Sequence, residues 1–134
     1  MSRTCFCRVT RFRGAHHYAL PGRSEVQNRE RFGESALPHD HDWALTLWLE
    51  GPLHEETGMI IDLVALDAVL EAQVRAPFHG QHINRVDDFF KTHQPTCEVL
   101  ANYFYERLAP LVAPVSIARL RIAESDDIFA ERVI

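Results

Sequence analysis

No stretch of this 134-residue chain approaches the about 18 consecutive apolar residues that a membrane-spanning helix needs, so a helical span is excluded. The opening Met1-Ser2-Arg3-Thr4-Cys5 lacks the apolar segment and small-residue cleavage site of a secretory signal, and a cytoplasmic location is expected. A cationic excess is missing too. Fourteen Lys+Arg face 19 Asp+Glu, a formal net charge of −5, which gives no footprint for non-specific binding to nucleic acid. A small anionic ligand could still be met locally by a cluster such as Arg8, Arg11 and Arg13. Cysteine is scarce: Cys5, Cys7 and Cys97 are an odd number with no zinc-finger or CxxC spacing. Reduced thiols are expected, the first two on one face of a strand and the third in a helix. There is no internal repeat, low-complexity stretch or linker. What is present is ordinary globular composition, 46% hydrophobic and 25% charged, in a length that suits a single domain over residues 1–134. Such a chain buries roughly two thirds of its unfolded surface. The eight histidines are the unusual feature.

Alternation of polar and apolar residues marks strands over 5–18, 42–51, 115–123 and 128–134. The second is the clearest, with Trp43, Leu45, Leu47 and Leu49 on one face. The polar segment 19–38, with Pro21-Gly22 and Gly33, reads as a long ordered loop, which in so small a domain is more often functional than idle. Asp62 is a suitable N-cap for a helix carrying Leu63, Leu66, Leu70 and Val74, with Pro77 as its stop. Residues 78–94 read as loop. Pro95-Thr96 opens a second helix, with Cys97, Leu100, Phe104 and Leu108 on one face and Pro110 as terminator. Two strands, two helices and two strands predict an α+β fold with an antiparallel sheet, rather than alternating βαβ units.

His39-Asp40-His41 immediately precedes the clearest strand. In extended chain, residues two apart point to the same side, so both imidazoles can aim at one point. His16 closes the first strand, and a hairpin would bring it to the start or the end of the second. Three imidazoles leave a fourth zinc position open for water or substrate, the catalytic rather than the structural arrangement. Solvated loop histidines are the competing reading of the HxH pair alone. A jelly roll that begins with HxH is excluded by too few strands.

Several short motifs occur in series: Phe12-Arg13-Gly14-Ala15-His16, Asn28-Arg29-Glu30-Arg31-Phe32-Gly33, His39-Asp40-His41-Asp42-Trp43, Thr57-Gly58-Met59-Ile60-Ile61-Asp62-Leu63, Pro95-Thr96-Cys97-Glu98 and Ile122-Ala123-Glu124-Ser125. Together they resemble the family of 6-pyruvoyltetrahydropterin synthase and 6-carboxytetrahydropterin synthase. That family's pattern runs F-x-A-x-H, N-x-x-x-[FY]-G-x-C, HGH-N-Y, T-G-M-[VI]-x-D, L-D-H-x-x-L-N, P-T-x-E-N and a late Y-E-T. The resemblance implies the tunnelling fold, a four-stranded antiparallel sheet with two helices on one face in the order ββααββ. It also implies assembly by sheet edges into an oligomeric barrel, a hexamer as a rule, with active sites between subunits. It further implies Zn2+ on His16, His39 and His41, and a 7,8-dihydroneopterin triphosphate or related pterin substrate whose ring is anchored by Glu124. A carboxylate can accept from both the 2-amino group and N3–H of a pterin edge. The Thr96 and Glu98 backbone would line the same pocket, although Glu98 also suits the start of a helix as a dipole-complementing charge.

The pattern breaks where the resemblance implies proton transfer. The thiol position after F-G-x holds Ser35, and a hydroxyl is a poor base near neutral pH. Glu34 beside it is the natural substitute base, since some relatives carry a glutamate near that position and cleave the substrate side chain. The Asp–His motif is altered as well. One alignment sets His79-Gly80 in its place; another, with a one-residue insertion, matches Phe78-His79 and keeps the histidine without its carboxylate. His82 is a second candidate. Two functions follow as expectations: a zinc-dependent lyase-type pterin enzyme with a rearranged proton relay through Glu34, Ser35 and His79, or a divergent homologue that keeps zinc, pterin pocket and oligomer without the standard activity.

Overall fold

The computed structural model describes residues 2–134. Two long strands organise it: β1, Cys5–His16, and β2, His39–Glu50, run antiparallel in unbroken register from Cys5 opposite Glu50 to His16 opposite His39. Because side chains alternate, this register sets Phe12 and His16 of β1 on the same face as Trp43, Leu45, Leu47 and Leu49 of β2. Those six side chains are buried. Strand β4, Ser116–Ala123, adds to the far side of β2 and carries Leu120 and Ile122 to the same face, and β5, Phe129–Val133, completes that edge.

Two helices cover this face. Helix α2, Leu63–Leu70, starts where the Asp62 carboxylate accepts from Val64 N–H at 2.9 Å and Ala65 N–H at 3.4 Å. Helix α4, Cys97–Val112, buries Leu100, Phe104 and Leu108. Their apolar stripes and the inner face of the sheet close one continuous core.

Four differences from the expected architecture have physical causes. Segment 19–38 is only partly loop. It contains α1, Glu25–Phe32, and a 3₁₀ turn over Gly33–Ala36. This helix has almost no apolar stripe, burying only Asn28, but Ser24 and Gln27 form a reciprocal capping box at its start. Pro77 does not stop the α2 run: the helix widens over Glu71–Arg75 and continues as α3, Ala76–Phe78, because proline is tolerated in the first turn of a helical segment. Pro110 likewise lies inside α4, two residues before its end, where a lost hydrogen bond falls in a terminal turn. The sheet has five strands in the order β3-β1-β2-β4-β5 rather than four. The addition, β3, is only Gln81–His82 and runs parallel to Gly14–Ala15 of β1. Among the described residues this is the whole pairing on that side of β1, so Cys5 to Val9 runs as an open edge.

The cluster of Arg8, Arg11 and Arg13 does not form. Alternation turns Arg8 to the helical face, where it forks onto Asp67 at 2.8 and 2.9 Å. Arg13 points to the other face and pairs with Asp42 at 3.0 Å. Cys5 and Cys7 are exposed on one face of β1 and Cys97 is buried in α4, all three as free thiols. Among the described residues no helix is long and apolar enough to cross a membrane.

Candidate functional site

The register that builds the core also builds the site. His16, the last residue of β1, lies opposite His39, the first of β2, and His41 falls two residues further along the same face. Each of the three histidines offers a ring nitrogen, and these atoms all lie within 4.8 Å of one another. The ring centroids of His16 are 4.5 Å from His39 and 5.1 Å from His41. Trp43 walls the site from below, its ring 4.9 Å from His16 and 5.5 Å from His41, and its Nε1–H donates to the Gly14 carbonyl at 3.0 Å. Tyr18 packs edge-on against His16 from the other side at 5.1 Å, and burial pushes its phenol above the ordinary range.

Backbone carbonyls orient two of the three rings. His16 Nδ1–H donates to the Pro95 carbonyl at 2.9 Å, and His39 Nδ1–H donates to the Leu37 carbonyl at 2.7 Å. A proton held at Nδ1 leaves Nε2 as a bare lone pair, the form in which imidazole binds a metal. His16 is completely buried, and that burial, with its histidine neighbours adding to it, pushes its pKa down to about 4. Burial likewise lowers His41, against the opposing pull of Glu124. Among buried side-chain atoms, His16 Nε2 and His41 Nε2 have no hydrogen-bond partner. Buried polar nitrogens left bare and aimed at one point fit a divalent cation, and the donor set fits zinc among others.

Glu124 follows β4 and joins this group. It is 9% exposed, and its Oε2 lies 3.2 Å from both His16 Nε2 and His41 Nε2, again without a hydrogen bond. Thr96 caps α4, its hydroxyl accepting from Val99 N–H at 3.1 Å. Glu98 is exposed in the first turn of that helix, where its charge complements the helix dipole. The contribution of this segment to the imidazoles therefore runs through the Pro95 carbonyl. Cys97, also in it, is a buried thiol that desolvation and the Glu124 charge push up to about 12, so it stays protonated.

The residues expected to move protons are placed differently. Ser35 lies in the turn after α1, and its carbonyl accepts from Tyr18 N–H at 2.9 Å. Glu34 is highly exposed and faces Arg29 at 3.6 Å. His79 accepts a hydrogen bond from Arg13 N–H at its Nδ1, 3.1 Å away. In an Asp–His pair the carboxylate accepts from Nδ1–H and leaves Nε2 free to take a proton; here the backbone donor occupies Nδ1 and leaves the neutral ring only Nε2–H. His82 is not beside the triad cation pocket but against His17, with Nε2 2.8 Å from His17 Nδ1, while the Asn84 side chain brackets the His17 backbone at 3.1 and 3.0 Å. A cleft of about 330 Å³ opens beside this pair, lined in part by Asn28, Arg29, Leu37 and Arg85.

Sequence reasoning missed the Pro95 and Leu37 carbonyls, Trp43 and Tyr18 as walls, and the contact of Glu124 with the imidazoles. Only the last had an available signal: Glu124 continues the buried parity of Leu120 and Ile122.

Comparison with known proteins agrees over nearly the whole chain. The family model for 6-pyruvoyl tetrahydropterin synthase matches residues 6–133. A 6-pyruvoyl tetrahydrobiopterin synthase from Poecilia reticulata is 25% identical over 121 residues, covering 89% of this chain and 82% of that protein. The solved structure of Caenorhabditis elegans 6-pyruvoyl tetrahydropterin synthase superposes with a TM-score of 0.86 at 25% identity, covering 100% of this chain and 99% of that one. A Plasmodium vivax 6-pyruvoyltetrahydropterin synthase shares the fold at a TM-score of 0.57 and 15% identity, over 98% of this chain and 99% of that one. Matched from residue 6 to residue 133, with its histidines gathered on one strand register, this chain belongs to the 6-pyruvoyl tetrahydropterin synthase family.

Proposed function

We propose that this protein is a zinc-dependent pterin enzyme acting on 7,8-dihydroneopterin triphosphate or a related pterin, as one domain over residues 1–134. The observation that carries the reading is the convergence of His16, His39 and His41 in a chain of this family. These three would hold the ion. When bound, zinc supplies a positive charge that makes oxygens on the substrate side chain more acidic.

The rest of the reading assigns work to the chain's own groups. The Glu124 carboxylate accepts from the two donors on the pterin edge and fixes the ring plane, with the Thr96–Glu98 backbone beside it. Trp43 and Tyr18 keep water from the imidazoles. Glu34 is the candidate base, taking a proton from a side-chain hydroxyl so that the adjacent C–C bond breaks and a lyase-type product leaves. A glutamate is named as a catalytic residue in the Plasmodium vivax protein, whose solved variants replace it. Ser35 stands at the family's thiol position, and His79 can only donate through Nε2–H. A homo-oligomer, as a hexamer, and a cytoplasmic location belong to the same proposal.

Two observations favour a second reading, a homologue that binds zinc and a pterin-like ligand without the standard reaction: Glu34 is exposed and His79 Nδ1 is spent on β1. Incubating purified protein with dihydroneopterin triphosphate and identifying products by mass separates the two. A cleaved or rearranged pterin supports the enzyme; unchanged substrate at saturating zinc, with pterin still bound, supports the second reading.

A further inference from the structure

Two aromatic side chains pack on the imidazole triad, and they differ in what their polar hydrogens do. Trp43 spends its Nε1–H on the Gly14 carbonyl at 3.0 Å. The Tyr18 hydroxyl makes no hydrogen bond among the described residues, so its O–H is unspent. The ring that carries it is fixed. It meets His16 edge-on at 5.1 Å, Phe32 at 5.8 Å and His39 at 6.5 Å. Its backbone N–H donates to the Ser35 carbonyl at 2.9 Å, which sets Tyr18 beside the position where the family pattern has a thiol. Burial raises the phenol above its ordinary range, and the carboxylates of Glu124 and Glu98 add to this, so the hydroxyl sits on the side of the triad that faces the end of β4 and the start of α4. The other polar groups expected here are turned elsewhere: Glu34 to Arg29, His79 to the Arg13 N–H and His82 to His17.

We propose that Tyr18 is a specificity-determining residue: its O–H donates to an oxygen of the substrate side chain at the edge of the imidazole site, so that a hydroxylated pterin is held more tightly than the bare ring. The inference rests on the pterin reading above and names, within it, the group that reads the side chain. A phenol suits this work. Its O–H is a donor at neutral pH, and binding costs its ring little freedom because His16, Phe32 and His39 already hold it. A site that pairs with a ligand hydroxyl rejects an analogue without one, since its own polar group is then left unpaired. No proton is transferred in this role, so the phenol does not replace the base.

The test compares the Kd of neopterin, which carries a trihydroxypropyl side chain, with that of unsubstituted pterin. Fluorescence titrations use zinc-reconstituted wild type, Tyr18→Phe and Tyr18→Leu, with zinc content measured in each. Wild type is expected to prefer neopterin. Tyr18→Phe is expected to reduce that preference about 3–10-fold, the weight of one neutral hydrogen bond, through neopterin alone. Its zinc content and its affinity for pterin should stay at wild-type values. Tyr18→Leu removes ring and hydroxyl together and should lose at least as much of the preference. An unchanged preference in Tyr18→Phe overturns the proposal. An equal loss for both ligands also overturns it, because Tyr18 would then be a wall for the ring, and loss of zinc in Tyr18→Phe would reduce it to a support for the triad. If wild type binds neither ligand, the pterin reading falls and takes this inference with it. If wild type binds both and Tyr18→Phe keeps the ratio, this inference falls alone and the proposed function stands.

Discussion

At the His16–His39 end of the β1–β2 ladder, the histidines that match the family pattern are fixed by strand register; Gly33–Ala36 and His79–His82, which depart from that pattern, sit on turns and at a two-residue edge strand. In the first region Trp43 supports the imidazoles and the hydrophobic layer together, so its inward-facing residues are tied to a packed core. Turns have no such constraint. The proposed metal ligands therefore rest on a constrained strand register, and the residues proposed to move protons rest on turns.

The largest effect expected from breaking the strand region is loss of the ion. His41→Ala should bring metal content after zinc reconstitution from one per chain to near zero by elemental analysis; equal content in both proteins would dissolve the ligand set. The region of turns comes next. If Glu34 is the base, Glu34→Gln should lower turnover by about 10²–10⁴-fold, the usual weight of one positioned acid–base group, in a mass-resolved product assay. Full activity in that variant would return Glu34 to solvent, and Ser35→Cys forming a pyruvoyl or carboxy product would confine the divergence to one residue. Glu124→Gln sets a donor against the ring's own donors and should weaken pterin binding by about 2–4 kcal/mol, read by calorimetry.

A smaller effect concerns pH. His16 is lowered from 6.5 to about 4 in the folded chain, so the unfolded chain binds more protons between those values. In the metal-free protein its contribution is fully present above about pH 6.5 and is lost as the pH falls toward 4, which urea melts across that range would show. Smallest of all, His79→Ala removes an acceptor for Arg13 N–H at an exposed position and should cost about 0.5–1.5 kcal/mol of stability.

The same contrast explains what the sequence revealed. Period-two alternation marked β1 and β2, but it left open which end of β2 His16 would meet; the family resemblance named His16, His39 and His41 together, and the register shows them meeting. Helix α1 was not legible, since its period-3.6 signal is almost absent; only the Ser24–Gln27 capping box announced it. The hold of Pro95 and Leu37 on the rings was also hidden, because a backbone carbonyl has no residue identity to read. Nor could composition show that His79 meets a backbone donor where a carboxylate acceptor was expected.

The open edge of β1 from Cys5 to Val9 has a consequence for solution behaviour. An exposed row of amide and carbonyl groups is satisfied by water in an isolated chain and by another strand in an assembly. When copies pair along it, folding and association become one equilibrium, and mass action enters the stability. The unfolding midpoint then rises with protein concentration, and dilution alone, at constant temperature and solvent, weakens the fold.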